Sequence, residues 1–80
     1  MNGSRIIVHD FYDGWTLSQI INEDFPILKE NGYTYAIIFE DLYGSVFIYG
    51  YTQRWRAIRH AMQNKTYYSA YDLLSGVKIL

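Results

Sequence analysis

Two histidines, eight carboxylates and seven lysine or arginine side chains are the ionic groups this chain could set to work, and it has no cysteine. Acid–base catalysis or metal binding needs several such groups converging on one point, usually at recognisable spacing. His9, Asp10 and Asp13 stand close in sequence. In an extended segment, however, successive side chains point to opposite sides, so His9 and Asp10 do not hold one group jointly. His60 lies far away in the chain, and there is no HxxxH or HExxH spacing. Glu40-Asp41 flanks a turn, where a capping aspartate beside a solvated glutamate is the simpler reading. The glycines are scattered, with no GxGxxG or phosphate-binding loop. The sequence therefore predicts no catalytic residue, no metal, no cofactor and no small-molecule substrate. The expectation is a protein that is not an enzyme.

Binding chemistry is better represented. There are nine tyrosines in 80 residues, five of them along Tyr33, Tyr35, Tyr43, Tyr49 and Tyr51. A tyrosine joins a large apolar ring to a hydroxyl that still wants a partner, which suits a surface covered by something else. Tyr33–Asp41 and Ser45–Tyr51 read as the strands of a hairpin. Asp41-Leu42-Tyr43-Gly44 suits a type I turn closed by a glycine bulge. That turn sets the register: Asp41 opposite Ser45, Phe39 opposite Phe47, Ile37 opposite Tyr49 and Tyr35 opposite Tyr51. One face then carries Tyr35, Ile37, Phe39, Phe47, Tyr49 and Tyr51. The other carries the small or aliphatic Ala36, Ile38, Val46, Ile48 and Gly50. A slip of one residue would exchange the two sets.

The net charge of −1 names no partner, but its distribution is uneven. Asp10, Asp13, Glu23, Asp24, Glu30, Glu40 and Asp41 precede Leu42 with Lys29 as the one base among them. Arg54, Arg56, Arg59 and Lys65, with His60, then follow with no acid. Such a split creates a local field that the net value hides. Arg56 and Arg59 are accordingly candidate contact residues, on a helix over Gln53–Gln63 that is expected to bury Trp55, Ile58 and Met62 and to expose Arg56, Arg59, His60 and Gln63.

Arg5–Tyr12, opening on β-branched Ile6-Ile7-Val8, reads as a strand, and Asp13-Gly14 as a turn. Thr16 and Gln19 form a capping box, with Trp15 and Ile20 placed for a hydrophobic staple. Leu17, Ile20, Ile21, Phe25 and Leu28 keep helical spacing up to Asn31-Gly32. Pro26 predicts a kink or break near residues 22–25, with Asp24 capping a short second piece. Tyr67, Tyr71 and Leu74 favour a short helix within 66–75, although a strand fits too. Val77–Leu80 reads as the last strand. One domain over residues 1–80 results, of α+β class: a ferredoxin-like (split βαβ) sandwich with a four-stranded antiparallel sheet and two main helices on one face. The aromatic face would be the open one.

The element order is similar to that of RNA-recognition domains, which stack bases on aromatics of two central strands. Leu74-Ser75-Gly76-Val77-Lys78-Ile79 resembles the approach to the last strand of such domains, and Gly44, Phe47 and Ile48 fit their octapeptide. Tyr43, Ser45 and Gly50 depart from it, and Ile7 occupies the first strand's stacking position. The resemblance implies, as the alternative function, a single-stranded RNA-binding module, with Phe47, Tyr49 and Tyr51 as a stacking set on physical grounds. Against it, the hairpin holds no lysine or arginine for phosphates.

The main expectation is a small non-catalytic interaction protein that binds a protein partner, or itself as a homodimer. The contact would be an aromatic sheet face, a sheet edge or a basic helix, and Tyr35, Phe39, Phe47, Tyr49, Tyr51, Arg56 and Arg59 form the candidate surface. Its size and character resemble phage and mobile-element accessory proteins, including inhibitors of host systems. No apolar run approaches the roughly 18 residues that span a bilayer, and no secretory signal is read at the start, so a cytoplasmic location is expected.

Overall fold

The computed structural model describes residues 6–10 and 14–80; the expected Asp13-Gly14 turn and the end of the first strand lie partly outside them. Strands β1 (Ile6–His9), β2 (Tyr35–Glu40), β3 (Val46–Tyr51) and β4 (Tyr68–Asp72) form one antiparallel sheet in the order β1-β3-β2-β4. Helices α1 (Leu17–Gln19) and α2 (Phe25–Glu30) are joined by a π-helical turn over Ile20–Asp24, and α3 (Arg54–Ala61) follows β3. The class is α+β, as the sequence indicates.

The first helical run starts as its residues dictate. Gln19 N–H donates to Thr16 Oγ1 at 3.2 Å, and Thr16 N–H donates to Gln19 Oε1 at 2.8 Å. Two donors that a helix start leaves open are thereby satisfied. The interruption expected near residues 22–25 is present as the π-helical turn, through which the chain stays helical. Phe25 N–H reaches back to the Ile20 carbonyl in a wide turn, and α2 then begins with Pro26 in its first positions. There a missing N–H removes nothing that the helix would have used. Asp24 keeps helical angles and caps nothing; its side chain goes elsewhere, to His9. The run ends at Gly32, with φ of +88°, where Tyr33 N–H bonds Leu28 O at 3.0 Å and Gly32 N–H bonds Lys29 O at 3.0 Å. This is a Schellman stop built on a residue that tolerates positive φ.

The hairpin has the expected register, with Tyr35 opposite Tyr51, Ile37 opposite Tyr49 and Phe39 opposite Phe47. Asp41 Oδ1 accepts from the N–H of Tyr43 (2.8 Å) and of Ser45 (2.9 Å), and Gly44 takes φ of +85°.

Two features depart from the expected arrangement. The helix favoured within residues 66–75 is instead β4, which pairs with the outer edge of β2. Helical spacing of Tyr67, Tyr71 and Leu74 competes there with strand alternation, which puts Tyr68 and Ala70 on one face and Ser69 and Tyr71 on the other. The alternation wins because β2 supplies an open edge. Residues 77–80 fold back on β4, through a bridge of Lys78 to Tyr71 and a bond from Ala70 N–H to Leu80 O at 2.9 Å.

The second departure concerns the layers. The helices do not share a face of the sheet. Ile20, Phe25 and Leu28 pack on Ala36, Ile38, Val46 and Ile48, the aliphatic face. Ala57 and Ala61 of α3 pack on Ile37 and Ala70, among Tyr35, Tyr49, Tyr51 and Tyr68. The aromatic face is thus not open: α3 lies on it, and the chain is a helix–sheet–helix sandwich. Gly50, on the aliphatic face, sits under the Tyr33 ring, where a Cβ would come within 2.6 Å of it.

Candidate functional site

Tyr35, Phe39, Phe47, Tyr49 and Tyr51 do share one face, as the sequence predicts. What the sequence does not show is how much of that face is occupied. All five are half-buried, and Ile37 between them is fully buried. At the centre stands His60. Its ring lies 4.8 Å from Tyr49, 4.9 Å from Tyr68 and 5.6 Å, edge-on, from Tyr51, measured between ring centres. Its Nδ1 is hydrogen-bonded to the Tyr51 hydroxyl at 2.7 Å. Burial pushes the imidazole below its ordinary pKa. It also pushes the Tyr49 and Tyr51 hydroxyls above theirs, with a smaller contribution from Tyr68. Burial disfavours the charged form in each case. The box is therefore neutral: an aromatic cluster that fastens α3 to the sheet. The remaining rings form a second cluster, in which Phe39 meets Tyr68 at 4.6 Å, Phe47 at 5.9 Å and Tyr67 at 6.4 Å.

The orientation of α3 departs in part from the sequence expectation: Ile58 packs inward and Arg59 and Gln63 are exposed, as expected, but the rest of the apolar stripe is not buried. Trp55, Ile58 and Met62 were expected inward and His60 outward. Ala57 and Ala61 face the sheet instead, Trp55 and Met62 are each 55% exposed, and Ile58 is half-buried. The reason is space. A sheet surface already filled by tyrosine rings admits a helix only through small side chains, so bulk is turned outward. The signal was present as Ala57 and Ala61 at i, i+4 with His60 beside them, but counting apolar bulk favoured the tryptophan stripe.

The outer side of α3 consequently carries exposed apolar bulk beside positive charge. Arg56 stacks on the Trp55 ring at 4.6 Å and donates its Nε to Gln53 Oε1 at 2.6 Å, so its guanidinium is held in place. Arg54 and Arg59 are exposed. None of the three makes an ion pair with a described residue. Two grooves run along the helix. The first, of about 330 Å³, is lined by Tyr51, Trp55, Arg56, Arg59, His60 and Gln63. The other is lined by Arg54, Trp55, Ile58, Arg59 and Met62 and is mainly apolar.

A third group of chemical interest lies on the opposite face. His9 Nε2 and Asp24 Oδ2 are 2.6 Å apart, joining β1 to the π turn, with Asp24 buried. Asp24 lies 15 residues from His9 and on another element, so no sequence spacing marks it as the partner. The cavity beside the pair, lined by His9, Trp15, Gln19, Glu23 and Asp24, measures about 60 Å³. Small-molecule sites run to roughly 300 Å³ and above, so the pair reads as a clamp. Among the described residues no group of three His, Asp or Glu side chains is placed to hold a metal ion, and no helix is long and apolar enough to cross a membrane.

Compared with models of protein families, with curated proteins and with solved structures, the chain matches none.

Proposed function

We propose that this chain is a small non-catalytic interaction protein whose contact surface is the outer side of α3, centred on Trp55. One observation carries the reading: Trp55 and Met62 stand more than half exposed beside arginines that make no ion pair with a described residue, on a helix whose inner side is already satisfied by Ala57 and Ala61. Tryptophan and arginine are the residues that most often dominate binding energy at protein interfaces. Arg56 and Arg59 keep their place in the contact set. In this reading Tyr35 and Tyr49 act as supports that pack against α3, while Tyr51 both packs against it and lines its polar groove. Phe39 and Phe47 are half-buried beside it. A stacking platform for single-stranded RNA would need Phe47, Tyr49 and Tyr51 free together, and two of those rings are engaged by His60. A cytoplasmic accessory protein or inhibitor of a host system, in a phage or mobile element, is a setting in which such a module would act.

The test compares the native chain with Trp55→Glu as bait in extracts of its source cells. Loss of a dominant captured protein, with the circular dichroism spectrum unchanged, is the expected outcome. Identical capture by both baits would remove α3 as the contact surface.

A further inference from the structure

The two grooves along α3 share a wall. Trp55 and Arg59 line both, so they form a ridge with a basic, polar groove on one side and an apolar one on the other. No carboxylate lines either groove, and the sequence holds no acid between Asp41 and Asp72. Within the described chain the guanidiniums of Arg54, Arg56 and Arg59 have no ion-pair partner. The surface is thus complementary to a ligand that brings negative charge and aliphatic bulk side by side. A second copy meeting this face symmetrically would set arginines against arginines, which is unfavourable. A nucleic-acid backbone would satisfy the arginines but lay charge against Ile58 and Met62.

Resting on the interaction reading above, we infer that α3 docks an acidic amphipathic peptide segment of another protein. Its carboxylates face Arg56 and Arg59 in the polar groove, and its apolar side chains cross the ridge onto Ile58 and Met62. Arg56 is prepared for this. Its stacking on Trp55 and its bond to Gln53 already restrict the guanidinium, so less freedom is lost on binding.

The experiment is an NMR titration of the whole chain with a blocked peptide carrying leucines and glutamates on adjoining faces of a helix. The comparison probes are the same peptide with every glutamate replaced by glutamine, and a uridine oligonucleotide. Shifts centred on the Trp55 indole N–H, Ile58, Arg59 and Met62 are expected. Affinity should fall about tenfold or more with the glutamine peptide, and likewise for Arg59→Glu, whose spectrum also reports whether the fold is intact. Three results would overturn the inference: no shifts on α3 at about 1 mM peptide, equal binding of the glutamine peptide, or tighter binding of the oligonucleotide to the same residues. If the peptide fails while Trp55→Glu still loses its captured protein, the acidic partner is wrong and the interaction reading stands. If Trp55→Glu loses nothing, the interaction reading itself falls.

Discussion

Under the π turn and α2 the sheet meets its helical layer through Ile20, Leu28, Val46 and Ile48, all fully buried, and through the hydrogen-bonded clamp of His9 to Asp24. Under α3 it meets that helix through Ala57, Ala61, Ile37 and Ala70, while the tyrosines around that seam remain half exposed. The first face is sealed by aliphatic volume. The second is sealed by a short helix that can come close only because its inner side chains are small. Sealing it that way sends Trp55 and Met62 outward. The two faces therefore divide the labour: one supplies most of the dry core, and the other presents a surface.

That contrast predicts unequal responses to truncation of adjacent residues in β3. Ile48→Ala removes a fully buried side chain from the aliphatic face and should cost about 2–5 kcal/mol. Phe47→Ala removes a partly exposed ring from the aromatic face, where no sealed cavity is left behind, and should cost less, about 1.5–3 kcal/mol. Urea denaturation of both variants checks it. Equal losses would mean that the two faces contribute alike, and the contrast would fall. In an 80-residue chain the upper end of the Ile48→Ala range approaches the whole stability, so the variant is best studied at low temperature.

The clamp sharpens the comparison on the aliphatic side. Asp24 is 5% exposed and its carboxylate meets His9 at 2.6 Å. His9→Leu leaves that carboxylate buried without its partner and should destabilise by about 1–3 kcal/mol. Adding Asp24→Leu should recover part of the loss, because no unpartnered carboxyl group then remains buried. A double-mutant cycle in which the two losses simply add would show that the pair does not act as a unit.

Much of the architecture was legible in the residues. The capping box at Thr16, the stop at Gly32 and the hairpin register set by Asp41 and Gly44 are local devices, and local devices can be read from sequence. The separation of aromatic and aliphatic sets followed from that register. The layer order did not follow, because it depends on which face each helix finds after the sheet has formed. Pattern reading treated Trp55, Ile58 and Met62 as a buried stripe and could not weigh the room left between tyrosine rings. β4 was obscured for a similar reason: Tyr67, Tyr71 and Leu74 satisfy a helical period, and only the free edge of β2 decides against it. His9 and Asp24 lie on separate elements, and the topology alone joins them.

The smallest effect concerns His60, the one titratable group inside the aromatic seam whose ordinary pKa lies near neutrality. Its pKa in the folded protein lies below the ordinary value of 6.5 because burial penalises the imidazolium. The unfolded chain therefore takes up this proton first as pH falls. The folded state should keep its full stability above about pH 6.5 and lose some of it as pH drops toward the folded pKa. The Tyr51 hydroxyl, bonded to Nδ1, can donate to the neutral ring but not to the doubly protonated one, so the same titration would force that bond to reverse its direction. Carboxylates elsewhere also titrate in acid, so the measurement is a difference: denaturation midpoints at about pH 7.5 and 5.5 for the native chain and for His60→Gln. The drop between the two pH values should be smaller in His60→Gln, and Trp55 fluorescence should follow the acid transition only in the native chain, because α3 is the element the histidine holds. A drop of equal size in both proteins would mean that protonation of the imidazole does not loosen the seam.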